Sequence, residues 1–140
     1  MSFPKQLEVL IEHPRRAIIK RRENGRIDFI SPLPSPYNYG SVPGTLAADG
    51  DREDALVLGP RLAKGTLAKV KVLARANFYD AGSYDAKWVC GEHMSERERV
   101  GIIAFFHVYA VCKTILNWLR GLSGRTAFDG LELAPEPKDG

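Results

Sequence analysis

Apolar and polar residues alternate early in the chain. Leu7, Val9 and Ile11 are interleaved with Glu8, Leu10 and Glu12, a period of two that predicts a strand. Ala17-Ile18-Ile19 begins a second extended segment, and Ile27-Asp28-Phe29-Ile30 returns as a third. Between them Glu23-Asn24-Gly25-Arg26 has the Asn-Gly signal of a type I′ hairpin turn. Residues 31–48 hold four prolines and two glycines and read as a long ordered loop, stiffened by Pro32, Pro34 and Pro36. Further short strands follow at Ala55-Leu56-Val57-Leu58, from Thr66 to Ala74 and at Lys87-Trp88-Val89-Cys90, with a turn from Asp80 to Tyr84.

Ser95-x-x-Glu98 is a capping box, and it opens a helix that runs to about Arg120 and is closed by Gly121. Val100, Ile103, Ala104, His107, Val111 and Leu119 mark its packed side, although apolar residues lie on more than one face. Residues 122–140 are polar, and the end from Ala134 to Gly140 reads as disordered. The chain therefore divides into a single domain at 1–122 and a C-terminal segment at 123–140. Short strands with Gly/Pro turns and one late helix predict an α+β, mainly β fold: a small β-barrel with a long C-terminal helix packed on it.

Composition narrows the class. A chain of 140 residues, 44% hydrophobic and 26% charged, is long enough for one self-sufficient core. No apolar run reads as long enough to span a bilayer, and Val9-Leu10-Ile11 is too short for a signal peptide, so a cytoplasmic protein is expected. The net charge of +3 does not demand a nucleic-acid partner. Tyr37, Phe78, Tyr79 and Tyr84 are the aromatics that base stacking would use, and packing or lining a site is the alternative. Lys5, Arg15, Arg16, Lys20, Arg21, Arg22 and Arg26 outnumber Glu8, Glu12 and Glu23 near the N-terminus. They form either a solvated strand edge or a cationic wall for an anion. Cys90, His93, His107 and Cys112 suggest zinc only superficially. His107 and Cys112 sit five residues apart on one helix, on divergent faces, and Cys112 reads as buried.

The chemistry concentrates in Asp49-Gly50-Asp51-Arg52-Glu53-Asp54, where three aspartates fall within six residues. Such carboxylates repel one another unless a cation lies between them, and hard oxygen donors select hard ions such as Mg²⁺. A calcium EF-hand loop is excluded, because Asp54 stands where glycine is required and Pro60 where a glutamate is.

This segment resembles the Asp-Gly-Asp-x-x-Asp motif of the soluble, Mg²⁺-dependent (family I) inorganic pyrophosphatases. Ile11-Glu12-His13-Pro14, Asn38-Tyr39-Gly40, Gly44-Thr45-Leu46, Asp80, Asp85-Ala86-Lys87 and Phe105-Phe106-His107-Val108-Tyr109 resemble other elements of that family in the same order. The resemblance implies a distorted five-stranded barrel of the oligonucleotide-binding type and a homo-oligomer, often a hexamer. It implies that Asp49, Asp54 and Asp85 hold the tightest metal, that Asp80 and Asp85 hold one arriving with substrate, and that Glu12 acts through water. Asp51 would be the general base, Lys20, Lys87 and Tyr109 would face phosphate, and Tyr39 would bond near the metals. The implied reaction is hydrolysis of pyrophosphate with Mg²⁺, or Mn²⁺ in its place. Five positions depart from the family pattern: Arg22, Phe29, Ser35, Ala81 and Ala110 replace a glutamate, an arginine, a tyrosine, a glutamate and a lysine. A thinner cationic end opens two alternatives: hydrolysis of an organic diphosphate, or a catalytically impaired relative that binds metal or phosphate.

Overall fold

The structure, a computed structural model, describes residues 3–16, 19–21, 27–30, 36–46 and 50–135, with the backbone alone at 19–21 and 27–30. Nine strands and one helix are described: β1 (Gln6–His13), β2 (Ile19–Arg21), β3 (Ile27–Ile30), β4 (Asn38–Val42), β5 (Glu53–Val57), β6 (Leu67–Asp80), β7 (Ser83–Tyr84), β8 (Lys87–Cys90), α1 (Glu96–Leu119) and β9 (Ala127–Leu133). Strands β1, β4, β5, β8 and β6 close into a ring, because β6 pairs back onto β1. The ring is irregular: β5 and β8 run parallel while its other neighbours are antiparallel. β2 and β3 pair as a separate antiparallel hairpin, whose Asn-Gly turn lies outside the described residues.

The 14-residue β6 organises the sheet. Its first half pairs with β1, its middle with β8, and its second half with β9 and β7. It runs well past the expected end at Ala74 because that later half is covered by α1 and β9. Ala74, Ala76 and Phe78 are all buried there.

Successive side chains on a strand face opposite ways, so the ring carries two cores. Val9, Ile11, Val42, Ala55, Val57, Val72, Trp88 and Cys90 pack together on one face. Leu56, Leu58, Ala74, Ala76, Phe78 and Val89 pack on the other, against Ile102, Phe106, Tyr109 and Ala110 of α1. Burial pushes the Cys90 thiol up to about 12. Cys112, expected to be buried, is only half-buried.

The helix termini follow the sequence signals. The Ser95 hydroxyl accepts from the Glu98 N–H at 3.1 Å, and the Ser95 N–H donates to the Glu98 carboxylate at 3.0 Å. At the far end Gly121 adopts φ +73°, and the N–H groups of Gly121 and Leu122 donate to Trp118 and Asn117 carbonyls, a Schellman closure. The packed side is not the expected one. The buried residues are Ile102, Phe106, Tyr109, Ala110, Lys113 and Asn117, while Val100, Val111 and Leu119 are exposed. Apolar residues on both faces gave two candidate stripes, and the aromatic one was the larger to bury. By length and composition α1 could also cross a bilayer, contrary to expectation; its buried face is nonetheless docked on the sheet.

Two further expectations are corrected. Residues 38–42 are not loop but β4, buried along its whole length. Asn38 is fully bonded there: its carbonyl oxygen accepts from the Arg15 and Leu62 N–H groups at 2.9 Å, and its amide donates to the Val57 and Pro60 carbonyls. The polar C-terminal segment contributes β9, which pairs with β6 and buries Phe128 against Phe106. Residues 136–140 lie outside the described residues.

Gly40 explains a requirement of β4. A Cβ at this position would lie 2.8 Å from the Leu10 carbonyl carbon of β1, and closer still to its oxygen. Neither backbone can yield without opening the ring. Gly40→Ala is expected to destabilise the domain by about 3 kcal/mol, read as a lower urea midpoint at unchanged slope.

Candidate active site

The parallel register between β5 and β8 sets Asp54 directly opposite Lys87. Asp85 precedes Lys87 by two residues on the same stretch of chain, so both project toward one side. Its position is fixed by its own N–H, which donates to the Phe78 carbonyl at 2.7 Å. The three side chains meet: the Lys87 ammonium donates to Asp54 Oδ2 at 2.9 Å and to Asp85 Oδ2 at 2.7 Å. Lys87 is 1% exposed. Small Ala76 lies opposite it on β6, and Phe78 and Tyr109 present their rings 5.8 and 6.0 Å from Nζ.

An ammonium this deep needs compensating charge. Burial, the largest influence on Lys87, would lower its pKa. Asp54, Tyr39, Tyr109 and Asp85 together reverse this and hold it well above the usual lysine range. Tyr39 on β4 is likewise held well above the usual phenol range, first by burial and then by the Asp54 carboxylate. It therefore stays a neutral hydroxyl at physiological pH.

Ser41 sits opposite Asp54 on β4, on the same face as Tyr39. Its buried hydroxyl has no hydrogen-bond partner among the described residues. Nothing in the early sequence reading singled it out, and only the β4–β5 register places it beside the site.

The other expected residues distribute as follows. Asp51 is exposed on the bend before β5, three positions from Asp54. Glu12 is half-buried on β1, at an irregularity between Ile11 and His13. Asp80 ends β6, with its carboxylate bonded to Lys113 and Asn117 of α1. Asp49 and the Lys20 side chain lie outside the described residues, as do Arg22, Ser35 and the Phe29 side chain. Ala110 is buried against the sheet and Ala81 occupies the β6–β7 turn. Among the aromatics considered for base stacking, Phe78 is core; Tyr37 packs edge-on against Phe105, and Tyr79 against Tyr84.

Among the described residues, no three His, Cys, Asp or Glu side chains gather at metal-holding distance. The donor set still suits a hard divalent cation. Two carboxylates, one from β5 and one from the β7–β8 connection, converge on one positive charge, and a buried hydroxyl unpartnered among the described residues faces the same side.

A mainly-β ring that carries a buried carboxylate–ammonium cluster on its helix-covered face defines the class of domain. A family model described as inorganic pyrophosphatase matches residues 9–120, and the chain belongs to that family. It is 33% identical over 100 residues to the inorganic pyrophosphatase of Gluconobacter oxydans, and 36% over 101 residues to that of Pseudomonas aeruginosa. Each match covers 66% of this chain but only 58% of the relative. The solved inorganic pyrophosphatase of Helicobacter pylori superposes with a TM-score of 0.71 at 26% identity, covering 92% of this chain and 85% of that one. The Thermus thermophilus structure gives a TM-score of 0.71 at 24% identity over 94% and 88% of the two chains, a likeness of fold. The expected distorted five-stranded ring is thus the family's architecture.

Removing the Lys87 charge leaves Asp54 and Asp85 facing one another. Lys87→Met is expected to destabilise the metal-free protein by about 3 kcal/mol, the lower end for a broken buried pair because Asp54 is partly solvated. Urea unfolding in EDTA reads this directly.

Proposed function

We propose that this chain hydrolyses inorganic pyrophosphate to two phosphates in the cytoplasm, with Mg²⁺ as its natural ion and Mn²⁺ as a substitute. The observation that carries this reading is the convergence of Asp54 and Asp85 on one buried cationic position, within a chain matching the family over most of its length. Asp54 and Asp85, with Asp49 by resemblance, would hold the ion. A bound Mg²⁺ supplies Lewis acidity, easing deprotonation of water and offsetting diphosphate charge.

The remaining work falls to the chain's own side chains. Asp51, exposed at the lip of β5, accepts the proton of the attacking water. The neutral Tyr39 and the Tyr109 hydroxyl act as donors toward phosphate oxygens. Lys87 holds a fixed positive charge that needs no reorganisation as negative charge builds on the leaving phosphate. Lys20 adds a second cation and Glu12 orders water at the edge, both by resemblance.

Phosphate release from pyrophosphate is expected with Mg²⁺ and not in EDTA. Asp51→Asn should lower kcat by about 100-fold or more. No release by the wild type, or an undiminished rate in Asp51→Asn, would sink this reading. Faster turnover of an organic diphosphate would move the substrate to that class.

We also infer a homo-oligomer, a hexamer by resemblance, assembled through the outer side of α1. Val108, Val111, Ile115 and Trp118 follow one another on α1 at steps of three, four and three, and each is more than half exposed; Trp118 reaches 76%. That spacing makes a continuous apolar seam of the kind helices bury against each other. Sedimentation should show the wild type as an oligomer and Val111→Lys/Ile115→Lys as a folded monomer. A monomeric wild type refutes the assignment.

A further inference from the structure

Asp80 was expected to share a substrate-linked metal with Asp85. Its surroundings assign it elsewhere. Oδ1 accepts from the Asn117 amide at 2.7 Å, and Oδ2 lies 3.4 Å from the Lys113 ammonium. Lys113 and Asn117 are four residues apart on α1, one above the other on the same face, and both are buried. The Asn117 amide also donates to the Thr126 hydroxyl at 3.0 Å, and that oxygen accepts from the Ala81 N–H at 2.9 Å.

The same corner is closed by backbone. Ala81 and Gly82 take φ +50° and +90° in the two-residue turn joining β6 to β7, and the Gly82 N–H donates to the Arg125 carbonyl at 2.8 Å. Gly124 is pressed so near that a Cβ would fall 2.6 Å from the Ala81 carbonyl. The end of β6, the last turns of α1 and the approach to β9 therefore share one bonded cluster, with Asp80 its only carboxylate among the described residues.

A buried ammonium and a buried amide are costly to strand. Withdrawing Asp80 toward a metal would leave Lys113 without its anion and one of the two Asn117 amide hydrogens without its acceptor. We propose that Asp80 is, in this chain, the clamp that fastens α1 and the β9 approach to the β6–β7 turn, and not a metal ligand. The role rests on the pyrophosphatase reading only for the ion that Asp80 declines; the clamp itself is independent of activity.

The test counts ions and measures stability together. Mn²⁺ is titrated calorimetrically into the wild type, Asp80→Asn and Asp54→Asn, with and without imidodiphosphate, a non-hydrolysable analogue of pyrophosphate. Asp80→Asn is expected to bind as many Mn²⁺ as the wild type, each Kd within about twofold, while its Tm falls by about 4 °C. Lys113→Met should lose a similar amount, and Asp80→Asn/Lys113→Met no more than the worse single variant. Loss of one Mn²⁺ in Asp80→Asn, or additive losses in the double variant, overturns the clamp. Should Asp80→Asn not fold, Lys113→Met decides: an unchanged Tm refutes it and a fall supports it. A wild type that binds no Mn²⁺ removes the metal-dependent reading of the site, and the double-variant Tm then judges the clamp alone.

Discussion

The structure depends on an ammonium buried between two carboxylates. Lys87 is in the middle of the ring, on a strand paired on both edges, and has almost no access to water. Desolvation of an isolated lysine would cost several kcal/mol. The position is tenable only while Asp54 stays opposite it on β5 and Asp85 stays two residues before it. Both conditions are backbone conditions: the first needs the parallel β5–β8 register, and the second needs the β7–β8 connection tied to Phe78. A slip of one residue would turn Lys87 toward the apolar side of the ring, among Val57 and Val72. The charge cluster thus selects the register while it builds the site.

The two faces of the ring divide the tasks. One gathers apolar residues from β1, β4, β5, β6 and β8 and is polar mainly at its rim, where the Trp88 indole donates to Glu53 and Arg75 lies over Phe3. The face toward α1 mixes aromatic packing with charge. Phe78 and Phe106 make edge-on contacts with Tyr109 there, and Lys87 and Lys113 are buried on the same face. Low polarity around these groups strengthens their attraction to Asp54, Asp85 and Asp80, which makes each partner harder to remove. That is a suitable setting for fixed charges that must not reorganise when an anion arrives.

What could be read in the sequence was local. The Ser95–Glu98 box and Gly121 bounded α1, and Lys87–Cys90 appeared as a strand with the bounds it has in the structure. Of the three clustered aspartates, Asp54 joins the charge cluster with Asp85 and Lys87. β4 was missed because glycine, asparagine and serine look like loop when nothing shows that two neighbours will bury them; Gly40 is there for the approach of β1. β9 was missed because Asp129, Gly130 and Glu132 carry no clear alternation, and its position is set by a neighbouring edge of β6. The meeting of Asp54 with Lys87 spans 33 residues and is a property of strand register. No spacing rule on one chain could have predicted it.

Lys113 places a second cation on the buried side of α1. The expected lysine beside Tyr109 is Ala110, whose small side chain lets α1 settle on the sheet. A cation is nevertheless present one turn further along the same buried face, where it meets Asp80. Among the described residues two lysines are buried, Lys87 on β8 and Lys113 on α1, and each is neutralised by aspartate from a strand or its connecting turn. A buried charge is stable only with its partner, so Lys113 and Asp80 constrain one another. A side chain's role is set by the partners its fold gives it, and Asp80 faces Lys113 and Asn117.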